Sequence, residues 1–259
     1  VTGVQTCALP ISESMVTYEQ TSKIIFTNDA FGGFGALNGG IFDDEVNLDF
    51  YEDDMRRYYA NIVGKVAMMA LKTIQKALTL DIKMIAPSHG LIWRSNLQWV
   101  IDRYTAWSQH QSKEGVVIVY GSMYGNTGRM ADIVARGVAD AGVKEIKVYD
   151  VSKTETSFIF SDIWKYKGVI LGACSHYGSI FPNMVGLLHE IGEYKPQNKV
   201  FGLFGGASWS GGGLKTLKEN AEACKWNIVS EPVEVKGAPI REEDIEKLYN
   251  LGLEIGKSL

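Results

Sequence analysis

Residues 116–127 read Val-Val-Ile-Val-Tyr-Gly-Ser-Met-Tyr-Gly-Asn-Thr. The first five form a continuous apolar run, which is typical of a strand buried on both faces of a parallel sheet. The residues that follow are glycine-rich and hydroxyl-bearing, and they run directly into a helical pattern. A strand that ends in such a loop predicts an α/β fold with a ligand site at the carboxyl end of the strand.

The same alternation of strand and helix continues to the end of the chain. The strand patterns cover residues 116–120, 145–149, 169–171, 200–204 and 227–235. The helical patterns cover residues 127–141, 182–191, 214–224 and 242–257. Five strands that alternate with helices predict a doubly wound, five-stranded parallel sheet. We place this domain at residues 111–259, because the polar stretch 111–114 reads as a connector.

The stretch 12–110 predicts a separate domain that is incomplete. Its strand patterns lie at residues 23–27 and 81–86, and its helical patterns at residues 62–78 and 96–107. The apolar residues of the first helix are spaced three and four apart, as on one helix face. So few elements make only part of a core, as though upstream strands were missing.

Residues 1–11 show neither helix nor strand periodicity, and they lack the features of a secretory signal. They resemble the peptide obtained by translating a common sequencing-library adapter. We therefore expect an artefact of the reading frame or a disordered segment, with a frayed natural N-terminus as the alternative. Either interpretation removes Cys7 from functional arguments.

The composition excludes several kinds of partner. The chain has 26 Lys and Arg against 30 Asp and Glu, which gives a net charge of −4. A mildly acidic chain without a basic stripe is a poor binder of nucleic acid or anionic membranes. No apolar run reaches the roughly 18–20 residues that span a bilayer. Three cysteines are too few for a disulfide framework, which predicts a cytoplasmic protein.

The loop after the first strand of the parallel sheet has the chemistry of a phosphate site. Small residues and hydroxyls allow backbone N–H groups to close around an anion at a helix N-terminus. The loop is neither a Walker A motif nor Gly-x-Gly-x-x-Gly, and it has no Lys or Arg before Arg129. The alternative is an ordinary strand-to-helix turn with Thr127 as the cap.

Two further loops mix glycines with aromatic residues at the ends of the third and fourth strands. Residues 172–179 read Gly-Ala-Cys-Ser-His-Tyr-Gly-Ser, and residues 204–213 read Phe-Gly-Gly-Ala-Ser-Trp-Ser-Gly-Gly-Gly. Glycine allows close approach of the backbone, and Tyr177 or Trp209 can stack on a flat ring. Because all three loops lie at the same edge of one sheet, they predict a single site for a planar, phosphorylated ligand.

Cys174 and three of the histidines belong to no clear catalytic motif. His176 is predicted to fill an aromatic slot, with proton donation near a bound ring as the alternative. A redox role for Cys174 is open, but no basic residue other than His176 lies beside it in the sequence to support one. His110 and His189 are predicted to be solvated surface residues.

Two short motifs upstream carry residues that suit a transition metal. Asp29 follows one strand pattern and His89 follows another, sixty residues later in the chain. Carboxylate and imidazole groups are suitable metal ligands. From spacing alone, the alternatives of a turn-forming aspartate and a packed or solvated histidine stay open.

The three loops give residues 115–259 a specific resemblance to a flavodoxin domain, which binds FMN at this edge. By that resemblance one group of residues holds the FMN phosphate: Ser122, Met123, Tyr124, Gly125, Asn126 and Thr127. A second group frames the isoalloxazine ring: Cys174, Ser175, His176, Tyr177, Gly178, Gly205, Gly206, Ala207, Ser208, Trp209, Ser210 and Gly211. Trp209 is the expected stacking partner.

One loop departs from the pattern of similar proteins. The second loop there usually reads Ser-Pro-Thr-Tyr-Asn-Asn, whereas residues 173–178 here read Ala-Cys-Ser-His-Tyr-Gly. Contacts made by the backbone survive this change. The side chains that face the ring, and with them the reduction potential, do not carry over from the family.

The stretch 13–94 resembles the C-terminal part of the metallo-β-lactamase-like domain of flavodiiron proteins. Its motifs are Glu-Ser-Met-Val-Thr-Tyr at 13–18, Phe-Thr-Asn-Asp-Ala-Phe-Gly at 26–32, Gly-Gly-Ile-Phe-Asp-Asp-Glu at 39–45 and Ile-Ala-Pro-Ser-His-Gly-Leu-Ile-Trp-Arg at 85–94. In that family the aspartate at the position of Asp29 bridges two irons, and the histidine at the position of His89 is a terminal ligand. The family's other ligands lie upstream of residue 13, and this chain has no histidine before His89.

The resemblance implies a parent protein that is a cytoplasmic oxygen or nitric oxide reductase. In that family FMN collects electrons from a rubredoxin-type donor and passes them to a diiron centre in a homodimer. We expect this chain to be a truncated reading of such a gene, with an FMN-binding electron-transfer module and a diiron site that is incomplete. We therefore expect this chain to have no reductase activity of its own. The alternatives are a free-standing flavodoxin-like carrier with an N-terminal interaction segment and, with least support, a zinc hydrolase.

Overall fold

The computed structural model describes residues 4–11, 14–37 and 39–259. The chain forms two compact units, and the boundary lies between Gln111 and Ser112. Across these described ranges, no helix combines the length and the apolar character that crossing a membrane requires.

The first unit contains one mixed sheet. Its strands are β1 (Val4–Ile11), β2 (Ser14–Glu19), β3 (Ile24–Asn28) and β4 (Met84–Pro87). They lie in the order β1-β2-β3-β4, and β3 and β4 are parallel whereas the other pairs are antiparallel. The helices are α1 (Leu48–Tyr58), α2 (Ala67–Ala77) and α3 (Leu97–Ser108).

Strand β1 corrects the expectation that residues 1–11 contain no regular element. Residues 4–11 pair with β2 along its length, and the register shifts between Ala8 and Ile11. That shift surrounds Pro10, which has no N–H to donate to a ladder. Residues 4–11 form a strand because they pair with β2, and sequence periodicity does not reveal such pairing. The proposed adapter origin of this stretch stays a prediction.

The segment between α1 and α2 also differs from the prediction. A single helix was expected over 62–78, but residues Tyr59–Val63 form a π-helical turn and Gly64–Val66 a 3₁₀ turn. The regular helix starts only at Ala67. Helix α1, which the sequence did not predict, begins at Leu48 and is capped by Asn47, whose side chain accepts a hydrogen bond from the Asp49 N–H.

His110 is buried, so the prediction of a solvated surface residue is wrong. It follows α3, adopts a left-handed conformation with φ of 53°, and its N–H donates to the Trp107 carbonyl. Only 8% of the residue is exposed. The left-handed residue follows the end of the helix, and its burial is not visible in a helical pattern. His189 is exposed on its helix, as predicted.

The second unit contains a parallel sheet with one short hairpin strand. Its strands are β5 (Lys113–Gly121), β6 (Ile146–Asp150), β7 (Tyr166–His176), β8 (Ser179–Ile180), β9 (Val200–Ala207) and β10 (Val233–Lys236). The parallel strands lie in the order β10-β9-β7-β5-β6, and β8 pairs with β7 alone. This order, in which the second strand lies outside the first, is the flavodoxin-like one. The predicted fold class is confirmed.

Helices cover both faces of this sheet. They are α4 (Asn126–Asp140), α5 (Thr156–Lys165), α6 (Asn183–Tyr194), α7 (Gly213–Cys224) and α8 (Glu242–Lys257). One face buries Val116, Ile118 and Ile170 against the apolar sides of α4 and α8. The alternate residues Val117 and Val119 are also fully buried. The apolar run 116–119 is therefore buried on both faces, as predicted.

Two elements of the second unit differ from the predicted pattern. Helix α5 was missed, because its aromatic and β-branched residues resemble a strand; the Glu155 carboxylate caps it by accepting from the Ser157 N–H. The strand expected over 227–235 starts only at Val233. Pro232 precedes it and cannot donate to a ladder, and upstream only Ile228 makes an isolated bridge, to Phe201.

Candidate functional site

The loops after β5, β7 and β9 line one pocket at the carboxyl edge of the parallel sheet. The first loop and the start of α4 contribute Ser122, Met123, Tyr124, Asn126 and Thr127, the second contributes Cys174 and Ser175, and the third contributes Gly206, Ala207 and Ser208. We call this the three-loop pocket. Gly237, just after β10, also lines it. The sequence does not predict Gly237 as a site residue, because its place at the pocket depends on the pairing of β10 with β9.

The other predicted site residues surround this pocket without lining it. They are Gly125, His176, Tyr177, Gly178, Gly205, Trp209, Ser210 and Gly211. Trp209 is 92% exposed and Tyr177 is 97% exposed. Tyr124, in the first loop, is also mostly exposed. Large aromatic side chains therefore project from all three loops into solvent at the rim of the pocket.

The floor of the three-loop pocket is the N-terminus of α4. The preceding residue, Gly125, takes a left-handed conformation with φ of 84°, and within the described chain no side chain caps this helix. The Ser122 hydroxyl accepts a hydrogen bond of 3.0 Å from the Gly125 N–H. The helix begins at Asn126, so Thr127 lies inside its first turn and is not the cap that the alternative reading required.

These features suit an anion. The first N–H groups of an uncapped helix lack intrahelical acceptors, and the helix dipole favours negative charge there. Among the described residues that line the pocket, no side chain is charged at neutral pH. Neutral donors alone would therefore hold an anionic group at the start of α4.

Cys174 and Thr127 pack together in the pocket wall. Burial raises the pKa of the Cys174 thiol, although contacts with the Met123 backbone and the Thr127 side chain oppose this effect. The thiol is therefore protonated at neutral pH and acts here as a small packing group. Thr127 is buried, and a Cβ added to Gly206 would lie 3.4 Å from its Oγ1.

The second loop is a β-hairpin, which the sequence analysis did not predict. Ser175 pairs with Ile180 and His176 with Ser179, on β7 and β8. The two central residues are left-handed, with φ of 48° at Tyr177 and 73° at Gly178. Two left-handed central residues define a type I′ turn. The turn projects the Tyr177 ring into solvent, and the His176 ring lies edge-on at 4.5 Å from it.

The second and third loops are joined through backbone contacts at the start of α7. The Ser175 hydroxyl accepts a hydrogen bond of 3.0 Å from the Gly213 N–H. A Cβ added to Gly212 would lie 2.4 Å from the carbonyl carbon of Gly178. Only glycine allows this approach, so the relative position of the two loops depends on Gly212.

In the first unit the structure brings Asp29 and His89 together. The His89 Nε2 lies 3.7 Å from the Asp29 Oδ1, and both side chains are partly exposed. The Tyr58 hydroxyl donates a hydrogen bond of 3.2 Å to the same carboxylate oxygen. The turn that carries Asp29 is held by the Trp93 indole, which donates to the Phe31 carbonyl.

These two donors do not by themselves fit a diiron centre. In the part of the chain that the structure describes, no group of three or more His, Cys, Asp or Glu side chains could hold a metal ion. A catalytic transition-metal site in proteins generally takes three or more protein ligands.

Comparison with known proteins identifies the class of the second unit. A family model described as flavodoxin matches residues 118–249, a range that includes all three loops of the three-loop pocket. A flavodoxin domain implies FMN as the cofactor.

Comparison over the whole chain identifies the family. A nitric oxide reductase of Moorella thermoacetica is 33% identical over 258 residues, which are 98% of this chain and 64% of that protein. The rubredoxin oxygen:oxidoreductase of Desulfovibrio gigas superimposes with a TM-score of 0.93 at 31% identity, over 98% of this chain and 65% of that one. For the flavodiiron protein of Giardia intestinalis the TM-score is 0.92 at 25% identity, over 98% of this chain and 63% of that one. The chain belongs to the flavodiiron protein family and spans 63–65% of the length of these relatives, which is less than two thirds.

Proposed function

We propose that this chain binds FMN in the three-loop pocket and works as the electron-transfer module of a flavodiiron oxygen or nitric oxide reductase. The observation that carries the proposal is the convergence of three glycine-rich loops on an uncapped helix N-terminus without charged side chains. Such a site suits a phosphate with a flat ring attached, and the flavodoxin match supports FMN as that ligand. FMN supplies one- and two-electron redox chemistry when it is bound.

The residues of the pocket then have distinct roles. Ser122 to Thr127 hold the phosphate through backbone N–H groups and hydroxyls at the start of α4. Cys174 to Gly178 and Gly205 to Gly211 frame the ring. Trp209 stacks on it, because its exposed indole lies at the rim and gains an apolar partner on binding.

The donor and the acceptor are proposed from relatives. The Desulfovibrio gigas protein is a rubredoxin oxygen:oxidoreductase, which supports a rubredoxin-type donor here. The Moorella relative is a nitric oxide reductase, which supports nitric oxide or oxygen as the final acceptor of the whole protein. Asp29 and His89 are proposed as two of the iron ligands of that whole protein, which we propose to be a homodimer.

Electron transfer is tested by mixing the FMN-loaded chain with reduced rubredoxin in the absence of oxygen. We expect the oxidised flavin absorbance to decay as rubredoxin is reoxidised. Dithionite provides the control, because it reduces accessible flavin without protein recognition. Flavin that dithionite bleaches but reduced rubredoxin leaves oxidised would contradict the proposed donor.

The two exposed aromatic residues make different contributions to FMN retention. We expect Trp209→Ala to weaken FMN binding several-fold, since aromatic stacking contributes about 0.5–1.5 kcal/mol beyond its burial. Tyr177→Ala should have a smaller effect, because its ring already contacts His176. Both side chains are more than nine-tenths exposed, so both variants should fold. Fluorescence titration gives the FMN dissociation constants of both variants. A larger constant for Tyr177→Ala than for Trp209→Ala would show that Tyr177 is the stacking residue.

A further inference from the structure

A second pocket lies at the opposite edge of the parallel sheet. Its volume is about 720 Å³, and none of its lining residues lines the three-loop pocket. It is formed where β7 and β9 begin, beside the ends of α6 and α7. We call it the lysine pocket. Its size lies within the range of about 300–1,000 Å³ that is usual for small-molecule sites.

Positive charge dominates the lining of this pocket. Lysines 167, 195, 199 and 225 line it, and no described aspartate or glutamate does. Within the described ranges, none of these four lysines forms an ion pair, whereas Lys153 and Lys215 of the same unit pair with carboxylates. Lysines that lack carboxylate partners and face one cavity attract an anion from solution.

Lys199 is the most unusual of the four lysines, because it is only 5% exposed. Its Nζ donates hydrogen bonds to the Ser112 hydroxyl and to the Trp164 and Tyr166 carbonyls, at 2.6, 2.9 and 2.8 Å. All three acceptors are neutral. Burial lowers the pKa of this amine to about 7. When it is protonated, its charge has no carboxylate partner within the described chain; because its three acceptors lie outside the pocket lining, Lys199 adds to the positive potential of the pocket without contacting a ligand through its amine.

Helix ends offset part of this charge. The C-termini of α6 and α7 lie at the pocket, and each carries roughly half a negative elementary charge. Lys195 and Lys225 occupy the left-handed positions that end these helices, so a favourable interaction with the helix ends explains why these two lysines lie at the pocket. Lys167 and Lys199 lie on or beside strands, and helix ends do not explain them. The pocket therefore keeps a positive surplus.

We propose that the lysine pocket binds a phosphorylated small molecule. Ammonium groups act as point charges that suit phosphate, and the side-chain amides of Asn198 and Asn227 add neutral donors. The indole of Trp226 stacks on Phe201 at a centroid distance of 4.5 Å and forms an apolar wall for the organic part of the ligand. This proposal does not depend on the FMN function.

The test uses inorganic pyrophosphate and the full chain with saturating FMN, so that the phosphate loop after β5 is occupied. Calorimetric titration at low salt should show binding of about one pyrophosphate per chain, since low salt weakens electrostatic screening. The double variant Lys167→Gln/Lys225→Gln should weaken this binding at least tenfold. Lys153→Gln/Lys215→Gln changes the net charge equally and should leave it unchanged.

Two results would overturn the proposal. One is the absence of pyrophosphate binding to the unmodified chain. The other is equal weakening in both double variants, which would show attraction by net charge alone. Lys225→Gln by itself, at an exposed residue, repeats the test if the double variant fails to fold. The lysine variants report on this pocket whether or not FMN is bound.

Discussion

Gly212→Ala is expected to weaken FMN binding by a factor of at least about ten, equivalent to ~1.4 kcal/mol. The added Cβ would lie 2.4–2.6 Å from the backbone of Gly178 and Ser179. Backbone atoms of a hairpin cannot move aside as the end of a flexible side chain does. The second and third loops must therefore separate, and with them the two groups of residues proposed to frame the ring. The φ of Gly212, 162°, lies outside the left-handed region, so the expected effect rests on the close contacts of the added Cβ.

The neighbouring Gly211 provides the matched control. A Cβ there would meet only the Glu234 carboxylate, at 3.2 Å, and that side chain can rotate away. We expect Gly211→Ala to retain FMN with an affinity within about threefold of the unmodified chain. Fluorescence titration of both variants measures the difference. Equal affinities in the two variants would show that the contact between the second and third loops does not shape the site.

Gly252→Ala is expected to lower the free energy of unfolding of the second unit by about 2–3 kcal/mol, the upper part of the range for overpacked cores. Gly252 lies where α8 crosses α4, and an added Cβ would lie 2.1 Å from the Val134 carbonyl oxygen. It would also lie 3.0 Å from the Val138 nitrogen. Both atoms belong to the backbone of α4, so the two helices must move apart and open the core beneath them.

Gly186→Ala is the control for this substitution. Gly186 also lies inside a helix, α6, but a Cβ there meets no atom within 4 Å. Alanine should be neutral or stabilising by up to about 1 kcal/mol, because glycine is the poorer helix former. Urea unfolding monitored by circular dichroism gives both values. A Gly252→Ala variant as stable as the Gly186→Ala variant would contradict the packing of α4 against α8.

The parallel sheet was predictable because its strands are local apolar runs that end in glycine-rich loops. Because Val116–Val119 are buried on both faces, they form an uninterrupted apolar run that can be recognised from the sequence alone. The fold class and the convergence of the loops follow from it, whereas the strand order is implied only by the resemblance to a flavodoxin domain. Helix α5 was not predictable in this way, since its Phe, Ile and Trp residues suit either a helix or a strand.

The hairpin of the second loop and the position of Gly237 depend on contacts that periodicity does not encode. Tyr177 holds a left-handed conformation that few residues other than glycine and asparagine adopt, so its sequence gave no turn signal. Gly237 reaches the pocket because β10 pairs with β9, and its N–H donates to the Ala207 carbonyl at 2.7 Å. Such pairing becomes visible only in the folded chain.

The first unit was the harder part to predict. Its sheet orders β1 by pairing it with β2, and the π and 3₁₀ turns interrupt what reads as one helix. The proximity of Asp29 and His89, in contrast, agrees with the resemblance that singled them out. Parallel pairing of β3 with β4 brings the ends of the two strands together, and the two motifs with them.

The central claim is that the three-loop pocket binds a flat ring through a phosphate held by neutral donors at the start of α4. Titration of the purified, flavin-free chain with FMN and with riboflavin tests it most directly, because the two ligands differ only in the phosphate. We expect about one FMN per chain, with riboflavin bound at least about tenfold more weakly. A chain that binds neither, or that binds both with equal affinity, would contradict the account.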